Sequence, residues 1–229
     1  MELKFLRNIK IKPLLIKLFN PGILRNIIFM FSGMIVFIIG VLIYGIILNL
    51  RQVPLLEAMR KQGFEKLDNV NLIIDRSSFT LKLYEDTVLI KSYRASFGRN
   101  LHRPKTAAGD GATPVGKYKI CKIDTVHKYH KFLRIDYPNL EDAAEALRKG
   151  LISQAEYDKL QFDYYYGECP GAETVLGGNI GIHGIGRLNY ILKNLPFVYN
   201  WTDGSVALSN EDIDEITSVI KKGTRVVIR

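Results

Sequence analysis

The feature that most constrains this chain is the run Ile27 to Leu50, "IIFMFSGMIVFIIGVLIYGIILNL", in which no residue is charged. At ~1.5 Å per residue it is long enough to cross a hydrocarbon core of ~30 Å. A buried core helix does not fit that length without charges, and the apolar run of a signal peptide is shorter, ~7 to 15 residues, with an A-x-A-like site after it. The run therefore reads as one transmembrane helix. Lys4, Lys10, Lys12, Lys17 and Arg25 precede it, whereas Arg51, Arg60 and Lys61 follow more sparsely. The positive-inside bias then expects a cytoplasmic N-terminus and everything after about residue 50 outside the cell membrane. The expected organisation is a basic tail over 1–26, the span over 27–50, a juxtamembrane spacer over 51–69 and a folded domain over 70–229.

The formal net charge is +9. Up to Lys66 ten Lys or Arg stand against Glu2, Glu57 and Glu65, giving +7, so the remainder carries 9 − 7 = +2. A nucleic-acid reader would carry its basic charge on the folded domain, so that class is set aside. The basic tail is expected to meet anionic headgroups instead. Cys121 and Cys169 are the two cysteines; they can pair in an oxidising compartment, and two unlinked thiols are an equal alternative. No Cys/His cluster has metal-ligand spacing, so neither a structural zinc nor any other metal is expected, and no cofactor is implied.

"RQVPLLEAMRKQGFEKLDN" has Leu55, Leu56, Met59, Phe64 and Leu67 at near-helical intervals and reads as a short amphipathic spacer. From Val70 the period changes to two: "VNLIID", "FTLKLYED" and "TVLIKSYRASFG" alternate around turns at Arg76–Ser78 and Glu85–Asp86, as in a half-buried antiparallel meander. "GKYKICKID" repeats the alternation, which sets Tyr118, Ile120 and Lys122 on the face opposite Lys117, Lys119 and Cys121. "RNLHRPKTAAGDGATPVG" is a loop longer than the usual ~4 to 6 residues, the kind that carries function. A helical hairpin follows, with Gly150 closing its first helix and Ser153 to Glu156 forming a capping box for its second. "IGIHG" is a short strand; Ser209 caps a last helix that Gly223 ends, and "TRVVIR" is a closing strand. The fold class is mainly β with helical insertions.

Four histidines are present. His102 lies in the long loop, and His127 and His130 fit surface or core equally well. His183 differs, because "GNIGIHGIG" sets it at a strand end between glycines, where backbone can approach a ligand closely. In "NWTDGSVALSN", Thr202-Asp203-Gly204-Ser205 forms a tight turn before "VAL", a geometry that suits an exposed nucleophile beside an oxyanion site.

Five phrases, "GDGATPVGKYKI", "RIDYPNLEDAAEA", "LGGNIGIHG", "NWTDGSVALSN" and "KKGTRVVIR", occur in the order in which the L,D-transpeptidase (YkuD-type) family carries them. From about Asn71 to Ile228 the chain resembles that family, and its turn is closest to the W-T-x-G-C-I-A branch. The resemblance implies an L,D-transpeptidase-like β-sandwich. It also implies acyl transfer on peptidoglycan stem peptides: attack at the L-centre carbonyl of a stem diamino acid, release of the terminal D-residue, and capture of the acyl-enzyme by a second stem. Carried over position by position, the base falls on His183 and its partner glycine is Gly184. Trp201, Thr202, Asp203 and Gly204 form the oxyanion and substrate-binding turn, and the nucleophile falls on Ser205, where the family carries cysteine. The alternative reading is a catalytically impaired protein that binds peptidoglycan as a scaffold. Cys169, in the loop before the base, is a minor alternative nucleophile.

Overall fold

The computed structural model describes residues 20–50, 52–166, 169–170, 174–195 and 197–229. The basic tail up to residue 19 and Arg51 lie outside the described residues. Helix α1 (Pro21–Leu50) contains one stretch, Pro21–Leu48, long and apolar enough to cross a membrane, and the window that defines it is not buried by the rest of the chain. It adds no residue to the hydrophobic core.

The domain that follows α1 is built on one eight-stranded sheet in the order β3-β2-β1-β8-β4-β5-β6-β7. Strands β1 (Val70–Asp75), β2 (Thr80–Glu85) and β3 (Val88–Arg94) form the expected antiparallel meander. Their alternation sends Val70, Leu72, Ile74, Leu81, Leu83 and Ile90 inward. The closing strand β8 (Arg225–Ile228) does not extend an edge: it inserts between β1, to which it is parallel, and β4 (Gly116–His127), to which it is antiparallel. β5 (His130–Ile135), β6 (Gly181–Gly184) and β7 (Val206–Leu208) complete the sheet.

The sheet curls until its two ends meet. Just beyond β3, Ser96 exchanges both backbone hydrogen bonds with Ala207 of β7, each 2.8 Å, and Gly98 bridges Thr202. Helix α5 (Asn210–Val219) packs Ile213 and Ile216, both fully buried, into the core, and Ser209 caps it as expected, its Oγ accepting from the Asp212 N–H at 3.0 Å.

Two local expectations change. The spacer contains a helix, α2 (Leu55–Lys61), that is part of the domain: Leu55, Ala58, Met59 and Leu67 are core residues, and the Leu55 N–H donates to Glu215 at 3.0 Å. Leu56 alone of the five spacer apolar residues is exposed. In β4 the strict alternation breaks at a register shift between Ile120 and Lys122, so Cys121 is buried beside Ile120 and Lys122 turns to solvent. An extra residue in one strand inverts every later side chain, and a two-residue period cannot foresee it. The helical pair, α3 (Leu140–Arg148) and α4 (Gln154–Tyr166), has a small core of its own around Ala143, Ala146, Ile152, Leu160 and Leu176. The Ser153/Glu156 capping box is present, and a second one, Asn139 with Asp142, starts α3.

Cys121 and Cys169 form a disulfide with a Cα–Cα distance of 5.4 Å and a sequence separation of 48. It removes Cys169 as a nucleophile. By loop-closure entropy a ring of this size stabilises the fold by about 4 kcal/mol. Reduction, or Cys121→Ser with Cys169→Ser, is expected to lower unfolding free energy by up to about that amount, read as the shift in denaturation midpoint with and without reductant.

Candidate active site

His183 lies in β6, and Ser205 immediately precedes its neighbour β7. β6 and β7 run parallel with Ile182 opposite Val206 and His183 opposite Ala207, which sets Ser205 beside Gly181 at the start of the ladder. The Gly181 N–H donates to Ser205 Oγ at 3.3 Å. Gly181 sits hard against β5: a Cβ there would lie 2.3 Å from the Leu133 carbonyl oxygen. No hydrogen bond joins Ser205 to the imidazole among the described residues.

The imidazole is 2% exposed and walled by rings. Tyr129 stacks on it at 4.7 Å and Phe132 at 5.9 Å between centroids, while Trp201 meets it edge-on at 5.7 Å. His183 Nδ1 lies 2.7 Å from the Gly184 carbonyl oxygen. A carbonyl can only accept, so Nδ1 carries the proton and Nε2 keeps the lone pair. Burial pushes the imidazole pKa down to about 4; the Gly184 carbonyl opposes the shift, while His127 and Lys128 add to it. The ring is therefore neutral at neutral pH, and its free nitrogen is a hydrogen-bond acceptor.

The turn that carries Ser205 is braced from both sides. Thr202, 4% exposed, donates from Oγ1 to the Ser205 carbonyl at 2.6 Å and accepts from the Gly204 N–H at 3.2 Å. The Gly204 N–H is thus turned onto a side chain within its own turn. Gly204 has φ +125°, and a Cβ would lie 2.6 Å from the Ala112 carbonyl oxygen. Only glycine fits both demands. Ala112 belongs to the "GDGATP" loop, which Asp110 organises: its carboxylate takes Lys105 Nζ at 2.7 Å and the N–H groups of Thr106, Ala107 and Ala112 at 2.8, 3.0 and 3.0 Å. Burial raises the Asp110 pKa, but Lys105 and those three donors outweigh it and hold the carboxyl below the usual range. Thr113, fully buried, accepts from the Gly98 N–H at 3.0 Å, so the loop is fastened to the strand that bridges Thr202. Asp203 lies at the exposed rim and pairs with Arg99.

The structure therefore places Ser205 beside Gly181 at the start of the β6/β7 ladder, His183 two residues further along opposite Ala207 and against Trp201, and Gly184 beyond it opposite Leu208, with Thr202 and Gly204 in the turn that carries Ser205 and Asp203 at the rim. His102 stays in the long loop, and His130 is turned away to Asp214, 2.9 Å from its Nε2. Sequence reasoning missed Tyr129, Phe132 and His127, whose ring lies 4.9 Å from Phe132. The available signal was the density of rings in "HKYHKF". It also missed the third group that orients the imidazole, because that group is a backbone carbonyl, which every residue has. Among the described residues no cluster of His, Cys, Asp and Glu is arranged to hold a metal ion.

The sequence pattern of the L,D-transpeptidase catalytic domain, YkuD, matches residues 69–228. No curated protein matches the chain. Among solved structures the chain is similar to an L,D-transpeptidase (residues 123–326) from Xylanimonas cellulosilytica DSM 15894, at 16% identity and TM-score 0.41, covering 77% of this chain and 70% of that one. It is similar to the helical cell shape determining protein Pgp2 from Campylobacter jejuni at 22% identity and TM-score 0.44, covering 70% of this chain and 47% of that one. An L,D-transpeptidase from Mycobacterium smegmatis aligns at 12% identity and TM-score 0.41, covering 70% and 58%. The chain thus spans about half the length of two of these three.

Two outcomes follow from this geometry. An NMR titration of the His183 ring is expected to show no inflection above pH 5. Its folded pKa lies below the unfolded value of ~6.5, so the unfolded chain takes the proton first, and this site costs stability progressively as pH falls from ~6.5 towards 4, up to roughly 3 kcal/mol. Gly204→Ala is expected to cost more than about 1 kcal/mol in chemical denaturation, because the left-handed backbone and the Ala112 carbonyl both resist a Cβ.

Proposed function

The chain belongs to the YkuD family of L,D-transpeptidase catalytic domains, and from that premise we propose that it is a membrane-anchored acyltransferase working on peptidoglycan stem peptides outside the cell membrane. The observation that carries the reading is the tautomer of His183: its Nδ1–H is held by the Gly184 carbonyl, which leaves Nε2 as the acceptor a nucleophile's proton requires. In this reading Ser205 Oγ attacks the carbonyl of the stem's L-centre and its proton passes to Nε2. The bond to the terminal D-residue breaks, and the leaving amine takes that proton. The amine of a second stem then attacks the ester and gives up a proton to Nε2, which passes it to the departing Ser205 Oγ as the new amide forms. Gly184 positions the base, Thr202 and Gly204 shape the turn under the nucleophile, Trp201 walls the imidazole, and Asp203 with Arg99 forms the rim. Anchoring rests on α1 with its flanking charges, and the disulfide suits an oxidising compartment.

One observation favours a second reading, a stem-peptide-binding scaffold of the same fold. An imidazole with pKa about 4 is a weak base, and serine is a far weaker acid than the cysteine the family carries. The missing His183–Ser205 hydrogen bond points the same way.

The two readings separate when the full chain in detergent is incubated with tetrapeptide muropeptides. The enzyme reading expects loss of terminal D-Ala or formation of dimers, abolished in Ser205→Ala and in His183→Ala. Binding without any product selects the scaffold. Ser205→Cys is expected to take up a carbapenem covalently, read as an intact-mass increase; if it stays unmodified, position 205 is not the nucleophile site.

A further inference from the structure

Among the described residues of the segment 188–199, several polar groups turn inward. Asn189 is buried, its amide donating to Glu211 and its carbonyl accepting from the Asn210 N–H at 2.9 Å, and Arg94 reaches the Leu195 carbonyl at 2.6 Å. Lys193 pairs with Glu211. Facing outward instead are Leu188, Tyr190, Ile191, Phe197 and Tyr199, each 56% to 80% exposed. Single exposed apolar residues are ordinary, but five within twelve positions, beside the half-buried Leu192 and Leu195 and over hydrogen-bonded polar groups, describe a surface whose outer neighbour is apolar.

The position of this surface identifies the neighbour. A Cβ built on Gly45 of α1 would fall 1.6 Å from the Asn194 carbonyl oxygen, so the end of the apolar helix and this segment meet backbone to backbone. Gln52, just beyond α1, lines one cavity together with Leu192, Leu195, Phe197 and Tyr199. The 30 residues of α1 extend about 45 Å, whereas the hydrocarbon core is ~30 Å thick. Of the surplus of about 15 Å, residues 21–26, already placed in the basic tail, take up ~9 Å, so Gly45, five residues or ~8 Å before the end of α1, lies close to the outer boundary of the hydrocarbon core. Asn194 and its neighbours then stand at the depth where Tyr and other amphipathic rings prefer to reside.

We propose that Leu188, Tyr190, Ile191, Phe197 and Tyr199 form a membrane-docking surface that rests in the outer headgroup region of a phospholipid bilayer beside α1. The inference rests on the membrane-anchored reading of α1 and deepens it. Docking holds the His183 site near the membrane, because Trp201 lines the same cavity as Phe197 and Tyr199 and touches the His183 ring. The acyl donor reached from that position belongs to the innermost layer of wall.

The test uses the full chain reconstituted in phosphatidylethanolamine/phosphatidylglycerol vesicles whose acyl chains are brominated near the headgroup. Phe197→Trp and Tyr165→Trp, both at exposed aromatic positions, are compared after subtracting the quenching of native Trp201. Quenching at 197 at least about twofold above that at 165 is expected, the latter lying on the helical pair. Equal quenching overturns docking. Alkaline carbonate extraction of the same vesicles tests the anchor separately: a retained but equally quenched chain refutes docking alone, and an extracted chain refutes both.

Discussion

The closure of the sheet on itself is the constraint from which the site follows. Ser96 and Ala207 exchange two backbone hydrogen bonds between strands at opposite ends of the strand order. Without that junction β7 would be a three-residue edge strand with one neighbour, too short to hold a turn in place. With it, the segment after β3 runs alongside the turn at 202–205, and the "GDGATP" loop reaches that turn through Thr113 and Ala112. The placement of Ser205 therefore depends on pairing between residues more than a hundred positions apart.

Within that frame the imidazole is built for fixed geometry more than for basicity. Tyr129, Phe132 and Trp201 exclude water, which fixes the ring and also lowers its affinity for a proton. In the proposed reaction the neutral ring accepts the Ser205 proton during attack, at the point where burial makes that charge most costly. The same walls that orient His183 thus limit what it does with serine.

Much of the fold was legible in the sequence because two-residue alternation and capping patterns are local. The meander, the Ser153 and Ser209 caps and the strand around His183 all follow from side chains within a few positions of one another. The place of β8 between β1 and β4, the bulge at Cys121 and the burial of α2 are decided by partners far along the chain. For the site, the motif phrases marked His183 and the turn, since their glycines and polar residues are chemically distinctive. Tyr129 and Phe132 carry no such mark, because an aromatic residue in a strand is usually core. The pairing of Cys121 with Cys169 was open in sequence, since only proximity in three dimensions decides it.

That cross-link also has a mechanical meaning. β5, α3 and α4 lie between its two sulfurs in the chain, whereas β6 and His183 follow the second. A pull applied to α4 is led through Cys169 into β4, the strand shared by both halves of the sheet, and does not run along the connection to Gly181. Tension on the helical pair is in this way shunted aside before it can drag the histidine strand out of line.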